Sequence, residues 1–315
     1  MRRELAVSMT ALTLLISQAC SRAPEPEVIA ADGALCDITR RLAAGDLRVQ
    51  CLLGPKDDPH QLQLTPEQTR QIREAQLVLI NGYGLTPVLE QLPGAVKVAE
   101  IAVPDSPALQ THQASDHHDH GHDHGHGDQD PHVWHDPRQA AAMTDLVSEQ
   151  LQALNPAAAA KIQARSAAMQ TSLKALHSWN QQQFATIPSP RILASGHRAF
   201  ASLTRAYGLE ELAVIDATST SESLRPQALA SVVSTLEQRR VLSLFAEQSP
   251  PSKSLQRISS LSGVRLATQP LMADTTGDHL MTTLTSNTCL IVDALGGQCN
   301  RQGSEALVQS WDAIR

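Results

Sequence analysis

The sequence predicts an α/β protein of two lobes, each built on a parallel sheet, with one long helix joining them. Three observations carry this reading. Short apolar runs alternate with stretches of helical spacing from Val28 to Ile101 and again from Arg191 to Leu295, and strands alternating with helices build βαβ units and hence a parallel sheet. Between the two regions, the residues from Ala157 to about Phe184 are rich in Ala, Gln and other good helix formers, and a helix of that length reaches about 40 Å. A chain of 315 residues with 42% hydrophobic content suits about two domains with sizeable cores.

At the amino terminus, Arg2 and Arg3 precede an apolar run from Leu5 to Ile16 and then small residues, the pattern of an export signal over residues 1–19. The run is short for a permanent membrane-spanning helix. The residues SQAC followed by SRAPEPE resemble a bacterial lipoprotein signal, which implies lipidation at Cys20 and a Pro/Glu tether over residues 20–27, with a membrane contact through that anchor. Ser17 stands where that signal has an aliphatic residue, which leaves ordinary cleavage open. Loss of Arg2, Arg3 and Glu4 with residues 1–19 takes the formal charge from −7 to −8. An acidic exported chain with 3% aromatic residues is poorly suited to nucleic acid, and no nucleic-acid partner is expected. Four cysteines remain beyond Cys20, an even number in an exported chain without a CxxC spacing, which favours disulfides over a thiolate metal site. Sequence proximity, with a turn at Gly296-Gly297, predicts Cys36–Cys51 and Cys289–Cys299.

The first lobe is expected over residues 28–137. Val28 to Ala31 reads as a strand, and Ala34 to Ala43 as a helix with Leu35, Ile38 and Leu42 on one face. Leu47 to Leu53 reads as the next strand, ending in a Pro- and Asp-rich loop that carries His60. Thr65-Pro66-Glu67-Gln68 starts a helix, with Thr as cap and Pro at the first helical position. Leu77 to Ile80 and Val96 to Ile101 read as strands. A helical segment follows over residues 138–186, broken at Asn155-Pro156. The second lobe, 187–315, alternates again. Its strands are Arg191 to Ser195, Val214-Ile215, Val241 to Phe245 and Val264 to Thr268; its helices are Phe200 to Tyr207, Pro226 to Gln238, Ser252 to Leu261 and a last one near His279 to Leu295. In such folds ligand groups sit on loops beyond the carboxyl ends of the strands.

Nine of the thirteen histidines fall between His112 and His135. The loop over residues 112–127 holds His112, His117, His118, His120, His122, His124 and His126 among Asp and Gly residues; it is too polar to bury a core and suits a segment that collects cations. Asp130-Pro131-His132-Val133-Trp134-His135-Asp136-Pro137 differs: two prolines and the apolar Val and Trp predict an ordered turn presenting His132. His60 in DDPHQL and His197 in ASGHRAF stand in loops just after apolar strands, as His132 stands in its own loop. His177 lies within the long helix and His279 in the first turn of the last one. Imidazole suits zinc, copper, nickel and iron, and free competition among divalent ions favours copper and zinc over manganese.

The segments DDPHQLQLTPEQ, the His-rich insert, DPHVWHDP, LASGHRAFASLTRAYGL, LFAEQSPPSKSLQRIS and QPLMADTTGDHL occur in an order and at spacings that resemble the metal-binding receptors of bacterial ABC importers, the zinc and manganese solute-binding proteins. The resemblance covers nearly the whole mature chain. It implies two α/β lobes joined by a long helix, the metal in the cleft between them, His60 and His132 from the first lobe, and His197 and Asp274 from the second. It also implies a periplasmic monomer that delivers its ion to an ABC permease and catalyses nothing. Glu247 in FAEQS matches a position near the cleft, supporting the ligands rather than joining them. His197 stands where manganese-type members carry a carboxylate, so three imidazoles and one carboxylate imply Zn2+ over Mn2+. His135 replaces an apolar residue of the motif, which leaves it open as a competing ligand, and Gln61 and Gln63 stand where an aromatic is common. Three other readings stay open: a manganese receptor of the same family, a zinc hydrolase using the His132/His135 pair with Glu247 as base, and a metal store working through the His-rich loop.

Overall fold

The computed structural model describes residues 26–54, 57–109, 129–215, 226–274 and 279–315. The expected signal segment 1–19, Cys20, most of the tether 20–27 and the His-rich loop 112–127 lie outside the described residues. No helix among the described residues is long and apolar enough to cross a membrane.

Strands buried on both faces require helices above and below the sheet, and the first strand, β1 (Val28–Ala30), has every residue fully buried. Val28 and Ala30 face one core and Ile29 the other. Asp32 then caps α1 (Gly33–Ala43), its Oδ1 accepting from the Leu35 amide at 3.0 Å. Next come β2 (Val49–Cys51) and α2 (Pro66–Glu74), which Thr65 and Gln68 start with a reciprocal capping box. The lobe is completed by β3 (Leu77–Ile80), β4 (Val96–Lys97) and α3 (Val98–Ala102). All neighbouring strands are parallel, in the order β2-β1-β3-β4.

Two helices follow, α4 (Pro137–Leu154) and α5 (Ala159–Ala185), separated at Asn155-Pro156 as the sequence predicts. Met169, Leu173 and Leu176 of α5 belong to the first lobe's core and Phe184 to the second lobe's, so the 27-residue helix runs from one core to the other. The second lobe has β5 (Ile192–Ser195), α6 (Ala201–Tyr207), β6 (Glu210–Ala213), α7 (Pro226–Gln238), β7 (Ser243–Phe245), α8 (Lys253–Ser262) and β8 (Arg265–Leu266). Its sheet is again parallel, in the equivalent order β6-β5-β7-β8. The lobes thus repeat a topology that the sequence does not show as a repeat.

The chain ends in α9 (Leu280–Ala294) and α10 (Arg301–Asp312). Leu280 and Leu284 of α9 and Leu307 and Trp311 of α10 join the core that holds Leu35, Ile38 and Leu42 of α1, while Ile291 and Val292 join the second lobe's. Asp37 of α1 accepts at Oδ2 from both the Leu280 amide and Trp311 Nε1, each at 2.9 Å. The carboxyl-terminal helices therefore clasp both lobes. Disulfides join Cys36 to Cys51 and Cys289 to Cys299, with Cα separations of 5.6 and 5.1 Å, the pairing expected from proximity.

Two element expectations differ from the structure, and one helix was not expected. Val96 to Ile101 is a strand for only two residues before α3 begins; Val98 and Ala99 are buried and Ile101 is exposed, a helical rather than an alternating pattern. The strand expected at Val214-Ile215 runs earlier, at Glu210–Ala213, and its charged start hides it. Helix α10 is unforeseen because RQGSEALVQSWD contains a glycine and buries only Leu307 and Trp311.

Candidate metal centre

Both Asp-Pro-His segments fold into the same local device. Asp58 Oδ1 accepts from the His60 amide at 2.9 Å, and Asp130 Oδ1 accepts from the His132 amide at 2.9 Å; in each, proline fixes the backbone between the two residues. His60 follows β2 on a short 3-10 turn, Pro59–Gln61. The His132 turn is held from three sides: Asn81, at the end of β3, donates to Pro131 O at 2.7 Å, Ser106 donates to Asp130 O at 2.6 Å, and Val133 and Trp134 are wholly buried beside it. His197 follows β5, and Asp274 stands in the loop after β8. All these positions lie beyond the carboxyl ends of parallel strands, where open α/β sheets place ligands.

The structure brings His60, His132, His197 and Asp274 together, with one donor atom from each lying within 4.8 Å of the others. The three imidazole centroids are 5.5, 5.6 and 6.0 Å apart. His132 Nε2 is 2.8 Å and His60 Nε2 3.1 Å from Asp274 Oδ1, and His197 Nε2 is 3.5 Å from Asp274 Oδ2, an electrostatic contact rather than a hydrogen bond. His132 and His197 are about 1% exposed, His60 12% and Asp274 13%, so the site opens to solvent on the side of the last two.

Buried groups of this kind shift strongly. Burial alone would raise the Asp274 carboxyl, but hydrogen bonding and the field of the surrounding imidazoles hold it well below the usual carboxylate range. Burial would likewise depress His132, yet the Asp130 and Asp274 carboxylates lift it to about 10. Such a cluster holds a positive charge at its centre, as a proton in the free protein or as a cation that replaces it.

Around the four residues stands a ring of supports. Asp130 Oδ1 is 3.1 Å from His132 Nδ1, which places the proton on Nδ1 and turns Nε2 to the centre. Its Oδ2 accepts from Ser202 N at 2.9 Å and Ser202 Oγ at 2.8 Å, so one carboxylate orients His132 of the first lobe and grips α6 of the second lobe. Glu247 accepts from Gly196 N at 2.7 Å and His197 N at 3.3 Å, and lies 3.8 Å from His197 Nδ1. Glu211 accepts from the Ala199 and Phe200 amides at 3.2 and 2.8 Å and, largely through burial, rises to about 7. Of these, Glu247 was expected near the cleft; the roles of Asp130, Ser202 and Glu211 were not foreseen.

The other described histidines stand elsewhere. His135 does not join the cluster: its Nε2 lies 2.9 Å from the carbonyl of Ala273, the ring is packed between Trp134 and Phe200, and burial followed by the His132 charge depresses it to about 4. His177 is half-buried on α5, 3.1 Å from Tyr207 Oη. His279 caps α9 beside Arg41.

Gly196 offers a test of the ring. A Cβ there would sit 2.4 Å from Glu247 Oε2, and that side chain is 5% exposed, so the carboxylate has to shift. Gly196→Ala is expected to displace the carboxylate and weaken metal binding by about 10- to 100-fold while the protein stays folded. A competition titration with a zinc chelator measures this, and an unchanged affinity would show Glu247 to be dispensable.

Two parallel-sheet lobes, a long helix between them and a buried three-histidine, one-carboxylate cluster in the cleft define a metal-binding receptor of the ABC-importer class. The chain belongs to the family of the zinc-uptake complex component A, periplasmic, whose profile matches residues 28–294. It is 25% identical to the zinc-binding protein TroA of Treponema pallidum over 235 residues, 74% of each chain. The solved structure of that protein superposes with a TM-score of 0.73 at 26% identity, covering 86% of this chain and 99% of the other. The Fe(III)-bound YtgA of Chlamydia trachomatis shares the fold, with a TM-score of 0.74 at 22% identity over 87% of this chain and 99% of its own. The manganese ABC transporter substrate-binding lipoprotein PsaA of Streptococcus pneumoniae is 23% identical over 77% of this chain and 79% of its own.

Proposed function

We propose that this protein captures zinc outside the cytoplasmic membrane, at His60, His132, His197 and Asp274, and hands it to an ABC permease. The observation that carries the metal choice is the donor set. Three imidazoles and one carboxylate converge on one point, a set that matches four-coordinate zinc, whereas manganese prefers more oxygen donors. The relatives are named for zinc, manganese and iron(III), so the choice rests on this chain's own residues. Residues 112–127 fit a collector that raises the local concentration of zinc, and Cys20 fits a lipid anchor that keeps the protein near its permease. A hydrolase fits less well: His135 faces a backbone carbonyl instead of pairing with His132, and Glu247 is engaged by two amides rather than poised as a base.

His197 is the residue on which the metal choice turns. His197→Glu replaces a nitrogen donor by a hard oxygen and is expected to lower the zinc-to-manganese affinity ratio by at least roughly tenfold. Zinc still binds more tightly in absolute terms. His177→Glu, on α5, is the control and leaves the ratio where it was. If competition titration finds the same ratio in the wild type and His197→Glu, His197 is no ligand and the zinc reading loses its main support.

A further inference from the structure

We infer that His135 is a positioning residue that latches the Asp274 loop to the first lobe and so sets how long the bound ion stays. The inference rests on the proposed metal site and adds a residue to its working.

The ring of His135 is packed against aromatic neighbours. It is 1% exposed, Trp134 and Phe200 flank it with centroids 5.5 and 4.9 Å away, and its Nδ1 is buried without a hydrogen-bond partner among the described residues. A buried unpaired nitrogen is costly, and an aliphatic side chain would fill the same space without that cost. What the imidazole supplies is one bond: Nε2–H donates to Ala273 O at 2.9 Å, reaching from the first lobe to a residue 138 positions later in the second. With Nε2 as donor, Nδ1 is the bare nitrogen, which agrees with its lack of a partner among the described residues.

The bond acts on the peptide immediately before Asp274. On its own lobe's side this loop is pinned one residue earlier, where Asn287 of α9 accepts from the Met272 amide at 2.9 Å and donates to Met272 O at 2.8 Å. Leu271 is fixed by its amide to Ala246 O at 2.7 Å. Among the described residues, the side chain of Asp274 is held by the imidazoles that would share it with the ion. The His135 bond is therefore a link between the carboxylate loop and the other lobe that does not pass through the metal. Breaking it frees Asp274 to leave with its own lobe, which opens the side where Asp274 and His60 are already the more exposed pair.

The test compares His135→Leu, which fills the space without a donor, and His135→Gln, whose side-chain amide can still donate to Ala273 O. The measurements are zinc release in stopped flow with a chelator in excess, and thermal stability of the zinc-free protein. His135→Leu is expected to release zinc about three- to tenfold faster, the loss of one neutral hydrogen bond, while the zinc-free protein melts at the same temperature or higher because the unpaired Nδ1 is gone. His135→Gln is expected to restore most of the slow release. A merely structural histidine would instead lose stability and zinc retention together, and that result overturns the inference, as does wild-type release from His135→Leu. Should His135→Leu not fold, His135→Met provides the same comparison. Asp274→Ala is run alongside: if it too releases zinc at the wild-type rate, the metal site itself is misplaced, a failure distinct from that of the latch.

Discussion

Asp274→Ala is expected to abolish tight zinc binding. Asp274 is the carboxylate on which His60, His132 and His197 all converge. Its removal takes away one donor and also the counter-charge of a site almost closed to water. Breaking such a buried charge assembly costs about 3–5 kcal/mol, which is about two to four decades in affinity. The protein should still fold, because Met272 remains pinned to Asn287 and the loop's other contacts are untouched. Chelator competition measures the loss; an affinity within about tenfold of wild type would mean that the ion sits elsewhere.

Asp130→Ala should have the next largest effect, through a residue that is no ligand itself. Its Oδ1 holds both the amide and the ring of His132, and its Oδ2 holds Ser202 across the cleft. Loss of a carboxylate that orients a metal-binding histidine costs about 10- to 100-fold in affinity, and loss of the grip on α6 adds to it. Ser202→Ala separates the two contributions, since it deletes the hydroxyl bond and leaves the amide bond and the whole of the His132 contact. It should weaken binding less than about tenfold. If the double variant is no weaker than Asp130→Ala alone, the two residues act as one unit; equal losses from both single changes would mean that the orienting contact contributes nothing.

The reasons some of these residues are legible in the sequence and others are not are physical. His60 and His132 show themselves because the signal is local: an aspartate two residues before, a proline between, and an apolar strand or turn beside them. His197 is legible by its place after an apolar strand, once the alternation of strands and helices is recognised. Asp274 has no such mark, since QPLMADTT differs little from any acidic loop; only resemblance to the receptor family selects it. Its place is set by contacts with His60, His132 and His197, all far away in the chain. Asp130 hides in plain view because its second partner, Ser202, is 72 residues away. His135 reads as a rival ligand for the same reason: its partner is a backbone carbonyl, which carries no sequence signature. In the fold, the long helix and the central strands are legible from composition and burial. Helix α10 and the charged edge strand β6 are not, because each buries too few residues to impose a period.

The central claim is that one zinc ion per chain is held by His60, His132, His197 and Asp274. Anomalous diffraction at the zinc edge tests it most directly, on crystals of the chain loaded with one equivalent of zinc. The expected result is a single strong peak between the lobes, at about 2.0–2.2 Å from one nitrogen of each histidine and one oxygen of Asp274, unchanged when residues 112–127 are deleted. A peak that avoids any of these four side chains, or that vanishes with the deletion, would contradict it.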